Sequence, residues 1–167
     1  MELKQALKIL KESKGFKEWN SNNKGSFLSY AFKMDEAGNE GQWQLGFYHT
    51  ETDKVTPFII GKNNVELHEE EEIFKKPETK VEPIEIEKIK LPFKEILKKA
   101  EEFQKKHYSA ELVDKTISVL QNLEEHSTIW NITCVTRSFR TLNMKISPEN
   151  GKITSHSISS LMDLIKK

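Results

Sequence analysis

Apolar and polar residues alternate with a period of two near the end of the chain. Trp130, Ile132 and Cys134 are separated by Asn131 and Thr133, and Leu142, Met144 and Ile146 by Asn143 and Lys145. That period predicts two strands. Ser147-Pro148-Glu149-Asn150-Gly151 follows, pairing a proline of preset φ with an Asn-Gly step that takes positive φ, before Ile153 resumes an extended run. This is a hairpin signal. A weaker echo lies earlier: strands are expected at 26–34, 43–49 and 55–60, with a last, very acidic one at 65–74. Pro57 falls inside the third of these and predicts an edge position or a bulge.

Helical spacing marks two other stretches. Leu3, Ala6, Leu7 and Leu10 recur at i, i+3, i+4 and i+7, which predicts a short amphipathic helix ending near Gly15, with Phe16 and Trp19 still touching the core. Leu91-Pro92 opens a second helix with proline in the tolerated first turn, and Phe93, Ile96, Leu97, Ala100 and Phe103 form its apolar stripe. Residues 111–123 suit a helix or a strand. Comparing the two halves decides for a strand, because Leu3 to Phe27 and Phe93 to Ile117 span equal distances. From Trp43 and Trp130 onward the halves align without gaps, matching Leu45 with Ile132, Val55 with Leu142 and Ile59 with Ile146. The expected fold is therefore α+β: two tandem repeats, each an N-terminal helix on a three- to four-stranded antiparallel sheet. The first repeat covers 1–75 and the second 91–167. The Lys-, Glu- and Pro-rich connector between them, 76–90, carries Ile84, Ile86 and Ile89 for partial packing.

The residues Pro92-Phe93-Lys94-Glu95-Ile96-Leu97-Lys98-Lys99-Ala100, then Trp130-Asn131-Ile132, then the run from Leu142 through Asn150-Gly151-Lys152-Ile153 resemble the PepSY domain. The resemblance covers about 84–157, and reaches 3–67 through the repeat. It implies a PepSY-like or cystatin-like unit and a role in binding or restraining a peptidase, or an accessory role outside the cytoplasm. A tandem of such units is also similar in plan to beta-lactamase inhibitory proteins.

Composition narrows the function classes. The chain has 167 residues, 36% hydrophobic and 31% charged, with 26 acidic and 26 basic side chains. No net field draws it to nucleic acid or to an anionic membrane. The N-terminus has charges every few residues where a signal peptide needs an apolar core, and no stretch reaches membrane-span length, so a cytoplasmic protein is expected. Cys134 is the single cysteine and sits in an apolar strand, which favours a buried thiol over a nucleophile.

The five histidines lack zinc-ligand spacing. His68 beside Glu69 to Glu72 is either a weak cation site or, on the blander reading, a solvated acidic edge. No catalytic constellation, metal site or cofactor motif is present, and the expectation is a non-enzymatic binding module for a protein or peptide, monomeric or homodimeric. The sheet face or the groove between repeats would carry the binding. The alternative is a small-molecule binding protein or enzyme with its site between the repeats. Candidate binding residues are Tyr48, Arg137, Phe139 and Arg140, the last three a basic and aromatic group at a turn, able to meet a carboxylate or phosphate or simply to be a solvated hairpin tip. Trp43 and Trp130 are either core anchors or exposed partner anchors.

Overall fold

A computed structural model describes residues 1–73, 75 and 78–165. Helix α1 (Leu3–Glu12) buries Leu3, Ala6, Leu7 and Leu10, the stripe its spacing requires. It ends at Glu12, close to the expected stop, but the chain does not leave helical structure there. Ser13 turns extended, and its Oγ accepts a hydrogen bond from the Phe16 amide at 3.3 Å, capping a second helix, α2 (Lys14–Asn22). That helix puts Phe16 and Trp19 against Phe47 and Phe58. Helix α3 (Phe93–His107) buries Phe93, Ile96, Ala100 and Gln104.

The strands are β1 (Phe27–Glu36), β2 (Trp43–His49), β3 (Lys54–Ile60), β4 (Val65–Leu67), β5 (Glu71–Glu72), β6 (Val113–Leu123), β7 (Ser127–Thr136), β8 (Arg140–Ile146) and β9 (Ile153–Ser160), and a short helix α4 (Leu161–Ile165) follows. The ambiguous segment 111–123 is thus a strand. All the described strands join one antiparallel sheet in the order β4-β3-β2-β1-β6-β7-β8-β9, with β5 also on β3. The chain lays down a helical segment and then a meander running outward from the centre, and does so on both sides of the β1–β6 pair. Seven residues of β1, Tyr30 to Glu36, pair with Gln121 to Lys115 of β6. One sheet therefore runs through both halves.

The aligned register of the halves needs a correction. Trp43 pairs with Ile60 and Trp130 with Ile146, so the inward positions of β3 are Phe58 and Ile60, not Val55 and Ile59. Matching Val55 with Leu142, or Ile59 with Ile146, sets an outward residue against an inward one. The cause is the hairpin loop, residues 50–53 before β3 but only 137–139 before β8. One extra loop residue flips every side chain after it.

Pro57 is not at an edge, because β3 pairs with β2 on one side and with β4 and β5 on the other. It stands where the outer ladder is interrupted: β4 pairs with Phe58–Ile60, β5 with Lys54 and Val55, and between them only the His68 amide bonds the Pro57 carbonyl, at 3.0 Å. Lacking an N–H, Pro57 needs no partner there. The expected acidic strand 65–74 is accordingly split in two, and Phe74, like Lys76 and Pro77 of the connector, lies outside the described residues.

The inward faces of the strands and all three longer helices share one core. Trp43 and Trp130, each 1% exposed, meet across its centre with ring centroids 6.1 Å apart, and Phe93 packs on both. They are core anchors, not exposed partner anchors. Two polar clasps tie distant parts of the chain together. Glu2, ahead of α1, accepts hydrogen bonds from the Phe93 and Lys94 amides at 2.6 and 3.2 Å and so caps α3. Glu85, in the connector, accepts from the Ser127 hydroxyl at 2.5 Å and pairs with Lys88 at 2.8 Å, pinning the connector to the β6–β7 hairpin. Ile84 and Ile89 are buried beside it.

Candidate functional site: the outer face of the sheet

No described helix packs on the other face of the sheet. There Phe32 and Met34 of β1 lie beside Val119 and Ile117 of β6, their cross-strand partners, and all four remain partly accessible. The strip they make crosses the seam between the halves. Polar side chains border it on both sides. On β7 and β8, Asn143 donates through Nδ2 to Asn131 Oδ1 at 2.5 Å and to Thr133 Oγ1 at 2.9 Å, and Lys145 donates to Asn143 Oδ1 at 3.2 Å. On β1 and β2, the Gln44 amide donates to the Tyr30 hydroxyl at 2.7 Å, and burial pushes that phenol's pKa above its ordinary value. A polypeptide laid on this face would meet an apolar centre between carboxamides that both donate and accept.

Tyr30 holds its place by lying over Gly46, its cross-strand partner. A Cβ at Gly46 would stand 2.1 Å from the Tyr30 ring. Gly46→Ala is therefore expected to displace that ring, break the Gln44–Tyr30 bond and lower stability by about 1–3 kcal/mol, read as a fall in thermal midpoint.

The four sequence-derived candidates do not converge. Tyr48 is buried, and its hydroxyl donates to Asp53 Oδ1 at 2.6 Å, which with burial pushes its pKa up to about 12. It pairs with Phe27 at the start of β1, whereas Arg137, Phe139 and Arg140 occupy the β7–β8 turn at the opposite end of the sheet, the end where Glu36 meets Lys115. Tyr48 thus serves its own hairpin. Arg140 is held by Glu111 at 2.6 Å, and Arg137 Nε is 3.9 Å from Asp114. Hydrogen bonds from Ser138 and Thr136 and the Arg140 guanidinium keep the Glu111 carboxyl below its usual range. Phe139 is 68% exposed with φ +59°. Sequence reasoning missed its neighbours: the Leu112 carbonyl accepts from Arg137, and the Phe139 carbonyl accepts from Leu161, which brings exposed Leu112 and Met162 to the same corner. Nothing in the local pattern links these three hydrophobics, since sheet pairing alone assembles them.

A cavity of about 470 Å³ lies under α3, with Leu97, Ala100 and Cys134 among its walls and Asp35 of β1 and Gln104 at its polar side. Burial pushes the Cys134 thiol up to about 11, far from a reactive thiolate. Among the described residues no group of three His, Cys, Asp or Glu side chains could hold a metal ion, and the His68 ring lies 3.8 Å from Glu66.

The fold defines an α+β protein with a single antiparallel sheet and its longer helices on one face; on the other face no described helix packs, and only its Tyr48–Val55 end is buried. In structure it is similar to a protein of Clostridium difficile 630 described as a "putative lipoprotein", at 10% sequence identity and a TM-score of 0.57, over 87% of this chain and 90% of that one. No family model and no curated protein matches the chain. No described helix is long and apolar enough to cross a membrane.

Proposed function

We propose that this is a non-enzymatic binding module that takes a segment of another polypeptide on the outer face of its sheet. The observation that carries the reading is the uncovered strip of Phe32, Met34, Ile117 and Val119, bordered by carboxamides that suit backbone amides. The matching succession of helix and four-strand meander in the two halves supports a tandem of PepSY-like units, a plan that sets two sheets edge to edge and leaves one broad face. The resemblance to that family favours binding or restraint of a peptidase.

The test is selection from a displayed peptide library on the full chain, followed by calorimetry on the selected peptide. Val119→Asp and Phe32→Asp are expected to weaken binding by roughly tenfold or more each, with Lys98→Asp on the helical side as the unaffected control. Binding that survives both outer-face changes but is lost on Phe139→Asp would overturn the reading.

A second reading, a small-molecule site, is favoured by the cavity under α3, whose volume falls in the range that holds small ligands and to which the first half contributes Asp35.

A further inference from the structure

The two edges of the sheet are built differently. On the β4 and β5 side the outer strands are short and carry Glu66, Glu71 and Glu72, with Glu69 and Glu70 between them. Two copies meeting there would repel, a common guard against edge pairing. β9, at the other edge, runs for eight residues from Ile153 to Ser160 with no Lys, Arg, Asp, Glu or Pro. Its one titratable side chain, His156, turns to the helical face, where it pairs with Met144 and its Nδ1 lies 3.1 Å from the Tyr108 hydroxyl. A bulge opposite Lys145 and Ile146 disturbs only the start of the strand, and Ser155 to Ser160 keep regular register with β8. Among the described residues the outward backbone groups of this stretch have no ladder partner, because β9 ends the strand order.

We propose that β9 pairs antiparallel with β9 of a second copy of this chain. Residues opposed in an antiparallel pair project to the same face, so a two-fold axis normal to the sheet must pass through a residue opposite itself. An axis at Ser157 sets Ser155 against Ser159 of the partner on the outer face and His156 against Ile158 on the helical face. Every outer-face pair is then hydroxyl on hydroxyl, and no like charges meet. Phe139 and Met162, 68% and 57% exposed, flank the C-terminal end of β9 and supply apolar surface beside the pairing. The two outer faces join into one, whatever that face binds.

The test uses the full chain. Light scattering across a dilution series is expected to show the mass rising from 19.4 kDa toward twice that value, with backbone amide exchange at 155–159 slowing as concentration rises. Ser157→Lys or Ser159→Lys, both at exposed positions, is expected to weaken self-association by roughly tenfold or more while leaving the circular dichroism and melting curve unchanged. A chain that stays monomeric at millimolar concentration overturns the proposal. So does a dimer that both lysine variants leave intact, or protection of the β9 amides only when a different protein is added.

Discussion

Replacing Trp43 by alanine is expected to remove about 3–5 kcal/mol of folding free energy, a large part of the roughly 5–15 kcal/mol a domain of this kind has. The indole is 1% exposed, packs edge-on against Phe93 at 4.8 Å and tilts toward Trp130, so the cavity left would open where the halves meet. Its Nε1 donates to the Met1 carbonyl at 2.9 Å, so the same change also frees the N-terminus. Urea denaturation followed by circular dichroism checks this as a fall in midpoint at unchanged slope. The paired phenylalanine variants separate the two effects. Trp130 Nε1 is buried with no hydrogen-bond partner among the described residues, so Trp130→Phe gives up only volume, whereas Trp43→Phe also strands the Met1 carbonyl. Trp43→Phe is therefore expected to be the costlier of the two, and the reverse order would show that the indole N–H contributes nothing.

Much of this core was legible in the sequence because it depends on local periodicity. The stripe of α1 and the alternation at 130–146 identify their inward residues directly, and that of α3 gives Phe93, Ile96 and Ala100 but not Gln104, while Leu97 and Phe103 are only partly buried. What escaped was set by single residues acting against the period. Ser13 starts a new helix where glycine and the polar run beyond it suggested an end. One additional loop residue before β3 reverses the faces of Val55 and Ile59. Pro57 is interior because the strand outside it is broken in two, a compensation made at His68, well further along the chain.

The candidate surface was less legible still. Phe32 and Val119 are cross-strand neighbours, yet no sequence spacing connects β1 with β6. Each outer-face residue also reads as an ordinary member of a half-buried strand. Arg137, Phe139 and Arg140 were visible as a compact group. Their salt-bridge partners Asp114 and Glu111, which engage both guanidiniums, come from the chain just before and within β6. Tyr48 shows the limit most clearly, since a tyrosine in a strand gives no sign that its hydroxyl will close its own turn on Asp53.

The second large effect is expected at Lys33. This side chain stands on the helical face of β1, 3% exposed, with Nζ 5.5 Å from the ring centroids of Trp43 and Phe93, 2.7 Å from Glu40 and 3.6 Å from Asp35. Lys33→Glu would bury a third carboxylate among two others and is expected to cost about 3–5 kcal/mol, in the range for an uncompensated buried charge. Lys33→Met keeps the length and the contact with the rings. Asp35 retains the Gly41 amide at 2.8 Å, Glu40 retains the terminal ammonium at 2.5 Å and is half exposed, so neither carboxylate is left buried and alone. The methionine variant is thus expected to stay within about 1 kcal/mol of the parent. Acid titration separates this account from a purely steric one. Hydrogen bonds from Lys33 and the N-terminus hold the Glu40 carboxyl near 2, down from 4.5. A depressed carboxyl contributes stability that is complete above its unfolded value and is lost as pH falls from about 4.5 toward 2. Lys33→Met is expected to raise the Glu40 titration, followed by NMR of its side-chain carboxyl, and to make unfolding less steep with acid across that window. If Glu40 titrates unchanged in the variant, the ammonium of Lys33 is not what holds it charged, and the lysine's place in the core must be explained by packing on the two rings alone.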